Sequence, residues 1–122
     1  FKLKNIHFYK LNNSNISSLE PLFRKSLTDL SHLDIYDVSI LLSKFDLIVS
    51  TDTVFAHLCG ILNIKCVLLL SKNSDWRWFD DHKKTVWYKS IRIVKQKKLD
   101  DWDKVISLIN RFLRLKSYTK NI

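Results

Sequence analysis

From Leu47 to Leu70 the chain reads LIVSTDTVFAHLCGILNIKCVLLL, and few folds accept that order. Asp46 to Ser50 has the length and apolar character of a short buried strand. Thr51-Asp52-Thr53 makes a polar elbow, and a helical pattern follows over Thr53 to Asn63, with Val54, Leu58, Ile61 and Leu62 on one face. Lys65 to Leu70 is then continuously apolar, as a strand covered on both sides requires. Strand, helix and buried strand in succession describe a parallel crossover.

The flanking sequence extends the alternation. Ile6 to Leu11 reads as a strand, Asn12 to Ser18 as a polar loop, Leu19 to Arg24 as a short helix and Leu27 to Leu30 as a short strand. Ser17 and Glu20 have capping-box spacing, although Pro21 fits best at a first helical position. Tyr36 to Phe45 repeats apolar residues at Val38, Leu41, Leu42 and Phe45, which predicts a helix. Ser71 to Ser90 is a long connection, Ile91 to Val94 a last strand, and Asp100 or Asp101 caps a final helix. The stripe of that helix is Trp102, Val105, Ile106, Ile109, Phe112 and Leu113. The expected fold class is α/β, a single Rossmann-like three-layer domain over residues 1–122 with a mainly parallel sheet.

Composition narrows the function classes. With 46% hydrophobic and 12% aromatic residues the chain is globular, and no apolar run approaches the roughly 20 residues of a membrane span. No signal-peptide pattern opens the chain, which favours a cytoplasmic setting. Phe1 in place of Met raises the expectation of a trimmed product or fragment. Cys59 and Cys66 stand in apolar surroundings and read as buried free thiols, and no ligand spacing predicts a metal site. The formal charge of +9 suits an anionic partner, but the basic residues are scattered, which disfavours nucleic-acid binding.

In an open parallel sheet, ligands bind beyond the carboxyl ends of the strands. Two polar segments arrive at that edge. At the elbow, the first amides of the helix carry its positive dipole end and can hold a phosphate. Asp52 or Thr53 can cap the helix, or Asp52 can bind ligand hydroxyls; His57 is either an anion donor or a satisfied interior histidine. In the loop, Trp76-Arg77-Trp78 sets a cation between two aromatics, suited to clamping a phosphate and stacking on a base or sugar. The same tryptophans could instead plug the edge of a small core. Trp87 and Tyr88 read as core or lid packing, and Asp80 and Asp81 as solvated. No catalytic set and no glycine-rich phosphate loop emerges.

Taken in order, STDTVFAHLCGILNIKCVLLL, SDWRWF, VWYKSIRIVKQ and DDWDKVI resemble the family 9, heptosyltransferase-like bacterial glycosyltransferases, in the branch associated with tetratricopeptide repeats. That resemblance implies the C-terminal half of a GT-B fold, which binds a nucleotide-sugar donor, with the first strand of that half missing. It carries over Asp52, Thr53, Val54 and His57, and with them Trp76, Arg77 and Trp78, as donor-site residues. It implies no metal and no cofactor beyond the nucleoside-diphosphate sugar. Val54 stands where heptosyltransferases have Gly, Ile64-Lys65-Cys66 where the family has Gly-Lys-Pro, and Lys89 where it has Pro. The acceptor domain that supplies the usual catalytic base would be a missing N-terminal domain or a partner chain, so the catalytic residues are not identified. The rival expectation is a non-catalytic binding or interaction module, degenerate or one half of a split transferase.

Overall fold

The computed structural model of the chain describes residues 6–18, 21–79 and 85–119. The fold is α/β. Among the described residues, five strands pair only in parallel, in one sheet of two strands and one of three, and four α-helices accompany them. The alternation is the expected one and is compatible with a Rossmann-like domain, but the strands divide between two small sheets. The chain forms two compact units, Phe1–Val38 with Asn110–Ile122, and Ser39–Ile109.

In the first unit, β1 (Phe8–Lys10) and β2 (Leu27–Asp29) pair through Phe8 with Leu27 and Lys10 with Asp29. Helix α1 (Pro21–Ser26) crosses between them and runs directly into β2. It opens on Pro21, where the missing N–H costs nothing, while Leu19 and Glu20 lie outside the described residues. Polar contacts lock the register. The Lys10 ammonium donates to Asp29 Oδ2 at 2.9 Å and to Ser31 Oγ at 3.3 Å, and the Ser31 amide donates to Asp29 Oδ1 at 2.9 Å. The Ser31 hydroxyl and amide, with the Lys10 ammonium, hold the Asp29 carboxyl well below the usual carboxylate range.

The second unit holds β3 (Ile48–Ser50), α3 (Val54–Ile61), β4 (Cys66–Leu70), a 3₁₀ turn (Trp76–Trp78) and β5 (Ile91–Lys95). The strand order is β3-β4-β5, which puts the continuous apolar run in the centre. All five β4 residues are buried, as the sequence predicted. Each of Leu68 and Leu70, fully out of water, contributes roughly 1.5–3 kcal/mol. Strand β5 buries Ile91 and Ile93 and exposes Arg92, the alternation of an edge strand. Cys59 and Cys66 are free and buried. Hydrogen bonding to the Cys59 sulfur and burial together push the Cys66 thiol far above its ordinary value.

The face of α3 differs from expectation. Ala56 and Cys59 are buried, while Val54, Ile61 and Leu62 are exposed at 59%, 71% and 44%. Apolar residues surround this helix on every side, so periodicity did not single out one face. At its end, the Asn63 amide donates to the Gly60 carbonyl and the Ile64 amide to the Cys59 carbonyl, with Asn63 at φ 54°. This is a Schellman closure, with Asn in the position more often held by Gly.

Helix α2 (Ile35–Leu42) buries Val38 and Leu42. Helix α4 (Trp102–Thr119) buries Val105 and Ile109 but leaves Trp102 and Ile106 exposed at 37% and 42%, so only part of the expected stripe is core. Asp101 immediately precedes α4, and its carboxylate is held low by the Lys104 ammonium at 3.0 Å and also by the Lys104 amide. Among the described residues, no helix is long and apolar enough to cross a membrane.

Candidate functional site

The pairing of Ser50 with Leu68 sets the carboxyl ends of β3 and β4 at one edge of the three-stranded sheet. The elbow leaves that edge after Ser50 and the tryptophan loop leaves it after Leu70. Thr53 occupies the N-cap of α3 in an extended conformation, φ −139°, but its side chain caps nothing. The Ser50 hydroxyl donates to the Thr51 carbonyl at 2.9 Å, so the Thr53 hydroxyl donates back to Ser50 Oγ at 3.0 Å. The Ala56 amide is taken by the Thr53 carbonyl at 3.0 Å. The amides of Val54 and Phe55 therefore lead the helix without a side-chain cap, at the positive end of its dipole.

His57, one turn in, is the hub. Its Nδ1 lies 3.1 Å from the Tyr88 hydroxyl and its Nε2 3.7 Å from Asp52 Oδ1. A carboxylate accepts only, so the consistent tautomer carries its proton on Nε2, facing Asp52, and Nδ1 accepts from Tyr88 O–H. The imidazole stacks on Trp78, with centroids 5.1 Å apart and planes 30° apart, and meets the Tyr88 ring edge-on at 5.9 Å and 73°. Two aromatic contacts and two polar ones fix one ring orientation, while the His57 side chain keeps 34% of its surface exposed.

The two predicted segments thus meet, but their tryptophans have separate roles. Trp78 is 0% exposed and forms the floor under His57; its Nε1 is buried without a partner among the described residues. Trp76, two residues earlier, is 75% exposed. Arg77, between them in the chain, pairs with Asp75 Oδ2 at 3.2 Å, while the Asp75 Oδ1 accepts from the Arg77 amide at 2.9 Å and so caps the 3₁₀ turn. Phe79 follows at φ 53° and ψ 148°, a costly backbone state for a non-glycine residue. Asp80 and Asp81 lie outside the described residues.

Two residues of the site were not singled out from the sequence. Tyr88, read as packing, supplies the hydroxyl on His57. Gly60, the sole glycine of the chain, lets that ring in, because a methyl group on its Cα would overlap Tyr88 Cγ and Cδ1. A lone glycine inside a helical pattern, three residues after His57, was the available signal. Trp87, also read as packing, is 58% exposed, with its indole N–H donating to the Arg77 carbonyl at 2.9 Å.

The arrangement can bind an anion at the helix start, hold an oriented imidazole N–H beside a carboxylate, and offer an arginine and flat aromatic surface nearby. Among the described residues, no group of three or more His, Cys, Asp or Glu side chains is arranged around a common metal position. Comparison with protein-family models, with curated proteins and with solved structures finds no match to this chain.

Proposed function

We propose that the Ser39–Ile109 unit binds the diphosphate of a nucleotide-sugar donor and serves as the donor half of an inverting, heptosyltransferase-like glycosyltransferase, acting on a cytoplasmic donor pool. The observation that carries this reading is the stack of His57 on Trp78, which brings the uncapped start of α3 and the Arg77 segment to one site. A diphosphate there would receive the Val54 and Phe55 amides, the helix dipole and the Arg77 guanidinium. Asp52, exposed at the elbow, would repel a phosphate and suits sugar hydroxyls.

In this reading the acceptor hydroxyl attacks the anomeric carbon and the nucleoside diphosphate leaves with the bonding pair. The helix start and Arg77 stabilise the charge that develops on the leaving diphosphate. The acceptor and its general base are supplied from outside the described residues, by another domain or a partner chain.

Titration calorimetry with UDP, ADP and GDP tests the reading. At least one should bind; Arg77→Ala should weaken it about 10-fold, the worth of one charge-assisted contact, and His57→Ala should weaken it severalfold by removing the ring that seats the Trp78 and Tyr88 segments against the helix start. No heat with any of the three from folded protein, or binding indifferent to both substitutions, refutes the assignment.

A further inference from the structure

Trp87 is a large apolar side chain in water, yet it is held in place. Its indole N–H donates to the Arg77 carbonyl at 2.9 Å, and its own amide donates to Thr85 Oγ1 at 3.1 Å, on a threonine that is 7% exposed. Both ends of the residue are fixed while 58% of its surface stays open. Its chain neighbour Tyr88 touches His57, and so does Trp78, the neighbour of Arg77. The tether therefore joins two segments that each rest on the hub of the site, and holds the exposed indole on the backbone of the residue that carries the guanidinium.

Burial is not what this arrangement achieves, since Trp78 fills the core position and Trp87 does not. A preorganised exposed aromatic ring beside a cation is how proteins stack a nucleobase while holding its phosphates. We infer that Trp87 is the platform for the base of a bound nucleoside diphosphate, an inference that rests on the diphosphate site proposed above. The pairing divides the labour: the helix start and Arg77 take the phosphates, common to all donors, and Trp87 takes the base.

Calorimetry with ADP, UDP and inorganic pyrophosphate on wild type, Trp87→Ala and Trp87→Phe separates the two claims. Trp87→Ala should weaken the nucleotides about 10-fold, the lower range for one base–aromatic stack, and leave pyrophosphate within about 2-fold. Trp87→Phe keeps a ring but loses the tether, so its nucleotide affinity should lie between wild type and Trp87→Ala. Nucleotide binding indifferent to Trp87→Ala overturns the platform and spares the diphosphate site. Equal loss of pyrophosphate and nucleotide in Trp87→Ala also overturns it, because the tether would then merely shape Arg77. Failure of pyrophosphate and of every nucleotide to bind wild type overturns both claims.

Discussion

Replacing Gly60 by alanine tests whether the Tyr88 ring is seated as described. Gly60 has no positive φ and lies inside α3, so backbone preference alone favours alanine by about 0.5–1 kcal/mol. The ring opposes this. A Cβ on Gly60 would overlap Tyr88 Cγ, the ring atom nearest the backbone, so rotation of the ring about its own axis cannot relieve the clash. Overpacking of this kind costs about 1–3 kcal/mol. Gly60→Ala should therefore lose about 1 kcal/mol net, which lowers Tm by roughly 3–6 °C for a chain of this size. In a Tyr88→Ala background the clash is gone, and the same substitution should gain about 0.5–1 kcal/mol. The double-mutant cycle, read from urea midpoints at constant m, should give a coupling of about 1–3 kcal/mol. Stabilisation by Gly60→Ala in both backgrounds would refute the contact and, with it, the positioning of the hydroxyl on His57.

Further outcomes follow from the same geometry. Thr53→Asp should stabilise the free protein by about 1 kcal/mol, because an unused N-cap gains a charged one, while abolishing diphosphate binding; tighter binding would exclude the helix start as the anion site. Asp75→Asn removes the charge that competes for Arg77 but retains an oxygen to cap the 3₁₀ turn, so pyrophosphate should bind severalfold more tightly by calorimetry. Tyr88→Phe should erode the Nε2–H tautomer of His57, visible in the ¹⁵N shifts of the imidazole; an unchanged tautomer would show that Tyr88 does not set it. Asp29 has a depressed folded pKa, so its stabilisation of the β1–β2 unit is complete above the unfolded value of about 3.9 and is lost as pH falls through the folded value. A carboxyl-carbon titration should place its midpoint below that of an ordinary aspartate, and an ordinary midpoint would sink the Ser31–Lys10 account.

By itself the sequence determined the alternation of strands and helices, the burial of Cys66–Leu70 and the free state of both cysteines. These follow from local period and from continuous apolarity, which need no knowledge of partners. It also marked Asp52, Thr53, His57 and Arg77 as polar residues at strand ends, where parallel sheets present their chemistry. Tertiary structure alone decided the rest. The face of α3 is set by which side meets the rest of the fold, and a helix apolar on every side carries no period that names it, so Ala56 and Cys59 went inside in place of Val54 and Ile61. Trp78 and Trp76 are indistinguishable in sequence and opposite in exposure, because a 3₁₀ turn aims successive side chains differently. The bond from Tyr88 to His57 spans 31 residues, and Gly60, having no side chain, leaves room for the ring that makes it.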